Sequence, residues 1–149
     1  MKDLFNLKGE IAVVTGALGK LGPIWIDTLL EAGAKVFALD HPNAQKSEAF
    51  KKLEANYDEQ SLQLASSDVT IREAVEGVSQ KCLDAFGVPS ILVNNAGIVL
   101  VADVESTTTD AWRRVMNNSL GHYREAMKDD MDPASVMPSS KICPSLASW

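Results

Sequence analysis

The chain predicts a three-layer α/β fold built on a parallel sheet, and three observations carry that expectation. Short β-rich runs alternate with helical patterns over residues 1–128 of the 149. The first run, Ile11-Ala12-Val13-Val14-Thr15, does not alternate between apolar and polar, as a strand buried on both faces would not. A glycine-rich turn follows it and leads straight into a helical pattern. Strand and helix in strict succession means βαβ units, which close right-handed onto a parallel open sheet.

Each element has its own local reason. From Pro23 to Ala34, residues Ile26, Leu29, Leu30 and Ala34 share a helical face. Pro23 is acceptable because the first helical turn needs no N–H from it, and Gly33 stops the helix. Lys35 to Asp40 reads as a second strand, Asn43 to about Tyr57 as a charged amphipathic helix, and Leu62 to Ser66 as a third strand. Thr70-Ile71-Arg72-Glu73 has the form of a capping box, with Thr70 as N-cap of a helix running to about Phe86. Ile71, Ala74, Val78, Cys82 and Ala85 line one side of it. Ser90 to Val93 is a fourth strand entering Asn94-Asn95-Ala96-Gly97. Asp110 opens the longest helical pattern, with Trp112, Val115, Met116, Leu120, Tyr123 and Met127 as its stripe. Residues 129–149 hold Pro133, Pro138 and Pro144, five serines and no glycine, and show neither period. They are expected to form an irregular tail after a domain spanning 1–128.

Composition narrows the function. A formal net charge of −6 argues against a nucleic-acid binder, which would carry a basic stripe. The longest apolar stretch, Ile98 to Ala102, is too short for a bilayer, and the first ten residues hold no apolar segment of a secretory signal. Cys82 and Cys143 stand 61 positions apart with no metal-ligand spacing around them. A reducing cytoplasm suits that usage, and no metal site is expected. His41 and His122 stand alone, as solvated imidazoles do.

The strongest chemical signal is Thr15-Gly16-Ala17-Leu18-Gly19-Lys20-Leu21-Gly22. Glycines in a strand-to-helix turn let the backbone approach a pyrophosphate, whose charge sits at the helix N-terminus. Asp40 closes the second strand 24 positions after Gly16. A carboxylate there accepts hydrogen bonds from the adenosine ribose and repels a 2′-phosphate, so Asp40 points to NAD. His41 and Pro42 follow, with no Arg or Lys to welcome that phosphate. Lys20 pulls the other way and leaves NADP possible.

These residues resemble the short-chain dehydrogenases/reductases, a Rossmann-fold family of nicotinamide-dependent oxidoreductases. The resemblance runs from Leu7 to about Gly121 and includes the glycine turn, Asp40, Asp68-Val69 and Asn94-Asn95-Ala96-Gly97. It implies a Rossmann-type sheet in the order 3-2-1-4, ending with the long helix after the fourth strand. It also implies that Gly16, Gly19, Lys20, Leu21 and Gly22 contact the cofactor, that Asp68 and Val69 meet the adenine, and that Asn95, Ala96 and Gly97 lie along the dinucleotide. Without the family, Asn-Asn-Ala-Gly is a turn after a strand, at the end of an open sheet where ligands bind.

The match departs from the family twice. Lys20 stands where the middle glycine of Thr-Gly-x-x-x-Gly-x-Gly is usual, and Gly19 is expected to supply the lost flexibility. The resulting spacing also resembles sugar-nucleotide epimerases, which do not normally carry Asn-Asn-Ala-Gly. The family's Tyr-x-x-x-Lys pair is missing: neither Tyr57 nor Tyr123 has Lys four residues later. Asn118 resembles the family's active-site Asn by its spacing to Gly121, whereas counting from Trp112 selects Ser119. Ser139-Ser140 stands near the catalytic Ser position, behind Pro138, which spoils a central strand. The resemblance thus implies alcohol–carbonyl hydride transfer with NAD or NADP and an unknown substrate, in a chain that binds cofactor but lacks the proton-exchanging Tyr. A non-catalytic NAD(H)-binding module is the alternative. Self-association through the long helix is expected, and no nucleic acid or membrane partner.

Overall fold

In the computed structural model of the chain, which describes residues 5–99 and 107–116, seven elements precede Gly97. They are β1 (Ile11–Thr15), α1 (Gly22–Glu31), β2 (Lys35–Asp40), α2 (Glu48–Asn56), β3 (Leu62–Ser66), α3 (Arg72–Ala85) and β4 (Ile91–Val93). The strands form one sheet in the order β3-β2-β1-β4, every pairing parallel. This is the expected Rossmann-type sheet. The chain separates into two compact units, Met1–Gly97 and Ile98–Trp149. In the second, residues 109–116 are helical, the described start of the long helix expected from Asp110. The 128/129 boundary and the tail lie outside the described residues.

Alternation along the strands sorts the core into two layers. Ala12 and Val14 of β1 and Val36 and Ala38 of β2 are buried with Ile26 and Leu30 of α1 and Phe50 and Leu53 of α2. On the opposite face, Phe37 and Leu39 of β2 pack with Val78 and Cys82 of α3. Phe86 adds an edge-on ring contact to Phe37, with centroids 6.1 Å apart. Two faces covered by helices explain why β1 and β2 read as apolar runs.

Two local expectations are corrected. α2 begins at Glu48 rather than Asn43, because the Ser47 hydroxyl accepts from the N–H of Phe50 and caps the helix there. Thr70 does not cap α3. Its hydroxyl and N–H both donate to the Asp68 carboxylate (2.7 and 2.9 Å), and Ile71 takes the N-cap place without a side-chain bond. The charged Asp68 acceptor two residues upstream draws both Thr70 groups into a local turn, so the hydroxyl is not presented to the free N–H groups of the helix. Trp25 and Ile24 stand on the exposed side of α1, while Ile26 and Leu30 face the sheet.

Candidate functional site: a cleft at the strand ends

The carboxyl ends of all four strands converge on the glycine turn. Thr15, the last residue of β1, is buried, and its hydroxyl joins three segments. It donates to the carbonyl of Val93 (3.4 Å) and accepts from the N–H groups of Asn95 (3.1 Å) and Ala96 (3.0 Å). The Asn95 amide completes the clasp from the other side, donating to the carbonyls of Thr15 (3.2 Å) and Gly16 (3.0 Å). Gly16 sits at φ +65°, and a Cβ there would lie 2.8 Å from Cα of Ala96. Only glycine meets both the left-handed backbone and this close approach.

The turn closes onto α1 just as tightly. A Cβ on Gly22 would stand 2.4 Å from the carbonyl oxygen of Ala17 and 2.5 Å from that of Gly16. No side chain caps α1, and Pro23 begins its first turn without an N–H of its own. Gly19, by contrast, is outside the left-handed region, and its N–H donates to the Gly16 carbonyl at 3.3 Å. The expectation that Gly19 replaces the flexibility of a missing glycine at position 20 is therefore wrong. The conformational demand of this turn falls on Gly16, and the steric demand on Gly16 and Gly22. Lys20 and Leu21 are exposed at the mouth of the turn.

Asp40 borders the turn on the β2 side. Its Oδ2 accepts from the Leu18 N–H (2.6 Å) and its Oδ1 from the His41 N–H (2.7 Å). The carboxylate is thereby aimed and still keeps a second lone pair on each oxygen. The Ser67 N–H donates to the Asp40 carbonyl (2.8 Å), tying the end of β3 to that of β2 and bringing Asp68 alongside. The Thr70 hydroxyl and N–H hold the Asp68 carboxyl below the usual carboxylate range, and His41 adds to the effect. The His41 Nε2 lies 3.6 Å from Asp68 Oδ2. Val69 is half-buried behind this pair.

The site thus gathers Gly16, Asn95 and Ala96 at its centre and Asp40 and Asp68 at one end. Thr15 and His41 are the residues sequence reasoning missed. The signal for Thr15 was its place as a hydroxyl ending an apolar strand just before the glycine turn. His41 had none, since its partner is 27 positions away in sequence. Asn118, Tyr123, Lys128, Ser139 and Ser140 lie outside the described residues. Among those described, no group of His, Cys, Asp or Glu is placed to hold a metal ion, and no helix is long and apolar enough to cross a membrane. Burial pushes the Cys82 thiol up, away from the reactive thiolate.

A glycine turn opening an uncapped helix, an acid closing β2 and an Asn-Ala-Gly segment against the turn define a Rossmann-type half-fold. The chain belongs to the short-chain dehydrogenase family, whose pattern matches residues 10–130. It is 35% identical over 115 residues to 3beta-hydroxysteroid dehydrogenase 2 of Eggerthella lenta, covering 76% of this chain and 44% of that one. It is 32% identical over 115 residues to an NADP-dependent (R)-specific alcohol dehydrogenase of Lentilactobacillus kefiri, covering 77% and 44%. A short chain dehydrogenase from Mycobacterium smegmatis superposes with a TM-score of 0.69 at 29% identity, covering 81% of this chain and 50% of that one. The chain spans about half the length of the relatives it matches.

Proposed function

We propose that this chain binds a nicotinamide dinucleotide, NAD in preference to NADP, as the cofactor-holding part of an alcohol- or carbonyl-directed oxidoreductase. One observation carries the reading: the Thr15–Asn95 clasp presses Ala96 against Gly16, so that the turn and the segment after β4 form one continuous backbone wall at the strand ends. Such a wall, with glycine where a Cβ would intrude, suits a flat phosphate-bearing ligand. Gly16, Gly19, Lys20, Leu21 and Gly22 would border the pyrophosphate, Asp40 the adenosine ribose, Asp68 and Val69 the adenine, and Asn95, Ala96 and Gly97 the run toward the nicotinamide. The cofactor, when bound, supplies the hydride chemistry. The chain's own residues orient it and keep its adenosine end beside two carboxylates. One similar dehydrogenase is named for NADP, so family membership does not select the cofactor. The aimed carboxylate of Asp40 supports NAD.

Proton exchange with a substrate is a separate matter. The 149 residues contain no Tyr-x-x-x-Lys. Tyr57 is unsuited to the role, because burial first and then Asp27 and Glu31 raise its phenol above the ordinary range, opposite to what a general acid–base needs. The non-catalytic binding reading rests on that absence for this chain by itself. Calorimetric titration should detect NAD and NADH, with NADP weaker, while alcohol oxidation stays at background. Gly22→Asp should abolish binding by driving a side chain into the Ala17 carbonyl. Equal affinity for NAD and NADP would remove the assignment to Asp40. NAD-coupled turnover that Gly22→Asp eliminates would remove the non-catalytic reading.

A further inference from the structure

The outer side of α1 carries an apolar stripe that the sheet does not use. Leu21, Ile24 and Trp25 are 58%, 61% and 47% exposed, while the same helix buries Ile26 and Leu30 in the core. Leu21, at the N-cap, already has helical backbone, so positions 21, 24, 25 and 28 follow one helical face. Thr28 extends that face, and its hydroxyl donates to the Ile24 carbonyl at 2.8 Å, which spends its proton within the helix. Asp27 faces the Tyr57 hydroxyl at the end of α2.

The charges that bound the stripe are of opposite sign. Lys20 is exposed just before its first residue, and Glu31 is exposed at the last residue of α1. Neither has an ion-pair partner among the described residues. Continued at about 100° per residue, the two positions fall within about 20° of each other, on the Ile24 flank of the stripe. A cation at one end and an anion at the other, on one flank of an apolar face, is a self-complementary pattern. Two such helices laid antiparallel about a two-fold axis bring Ile24 and Trp25 against their own copies and Leu21 against Thr28. The same axis points each Lys20 toward Glu31 of the other copy. A parallel pairing would set Lys20 against Lys20.

We infer that this face of α1 is a contact surface for a second copy of the chain, packed antiparallel through Ile24 and Trp25 and held in register by Lys20 and Glu31. Tryptophan is a favoured central anchor of such contacts, with charge kept to the rim. One helix face is small against the roughly 800 Å² per partner of a standard interface, so the pairing belongs to the weak, reversible class. It stands apart from the dinucleotide reading and is measured without cofactor.

Sedimentation equilibrium of the full chain between about 1 µM and 1 mM should show monomer and dimer in exchange. Each variant is measured alone and together with Leu92→Lys, which puts a charge on the apolar β4 edge. Trp25→Glu should weaken pairing about 30-fold in both settings, as loss of a central aromatic anchor does. Lys20→Glu and Glu31→Lys should each weaken it about fivefold, because both symmetric pairs become like-charged. The double reversal should restore the parental pairing, which damage to the fold could not do. Should Trp25→Glu fail to fold by circular dichroism, the three charge variants decide the matter. A monomer at every concentration would leave this face to a different polypeptide and overturn the inference. Pairing that Leu92→Lys alone abolishes, or that a folded Trp25→Glu leaves intact, would assign the contact to another face and overturn it as well. Reversals that weaken pairing additively, with no restoration in the double variant, would sink the antiparallel register and the inference with it.

Discussion

The Asn95 amide and the Thr15 hydroxyl together join the glycine turn to the segment that follows β4. Asn95 donates both bonds that satisfy the Thr15 and Gly16 carbonyls on that side, in a partly buried setting. Asn95→Ala should therefore cost about 1–3 kcal/mol, the range for a partly buried polar group left unpaired, read from denaturant midpoints. NAD affinity should fall with it, because Ala96 is then held near Gly16 through the Thr15 hydroxyl without the Asn95 amide. The sign of the acid response follows from Asp68. Its folded carboxyl lies below the ordinary aspartate value of 3.8. It therefore contributes stability that is present above that value and lost as pH falls through the folded one. Chemical denaturation between about pH 5 and 3 should show the unmodified chain losing stability faster than Asp68→Asn. A parallel decline would mean that Thr70 does not favour the charged form. At this scale the glycines and acids of the site were legible from spacing alone. Thr15 and His41 were not, because their partners come from distant strand ends.

At the scale of elements, helix ends depended on single hydrogen bonds. The Ser47 hydroxyl sets the start of α2 by accepting from Phe50, whose ring is fully buried in the core. Ser47→Ala should lower stability by about 1 kcal/mol, a typical loss for an N-cap, and a melt unchanged from the parent would show the cap to be idle. The strands were easier to read. β2 and β3 begin and end where the apolar runs do, at Lys35–Asp40 and Leu62–Ser66. The capping box at Thr70 failed because the pattern is a statement about local competition. Here Asp68, a carboxylate two residues upstream, takes the Thr70 N–H that Glu73 would have accepted, and the Thr70 hydroxyl donates to it and does not cap the helix.

At the scale of the molecule, the decisive feature among the described residues is how unequally the two faces of the sheet are covered. α1 and α2 bury Ala12, Val14, Val36 and Ala38 on one side, whereas the other side relies on α3 over β2. Leu92, in register with Val13 on that second side, is 53% exposed, and Val88 is 61% exposed just before β4. Within the sheet of the described residues β4 is an edge, and an apolar edge invites pairing with another chain. The protein is expected to self-associate or to seek a partner at micromolar concentration, and light scattering measures this directly. NAD should raise its melting temperature by mass action. A monodisperse monomer melting above about 65 °C without ligand would show that the edge is closed by other means.

The order of strands and helices, the turn at Thr15–Gly22 and the acids at 40 and 68 follow from the sequence by itself, because each depends on contacts within one turn or one strand. Apolar periodicity chooses the element, and glycine spacing marks where the backbone must come close to something. The tertiary structure alone decided what that something is. Gly16 must be glycine because Ala96, eighty positions later, lies 2.8 Å from where its Cβ would be, whereas Gly19 does not use a left-handed backbone. It also decided the company of His41, since only the parallel pairing of β2 with β3 brings Asp68 to the imidazole. Close approach and charge neighbourhood depend on distance in space, and a parallel sheet sets those distances between residues that the chain keeps far apart.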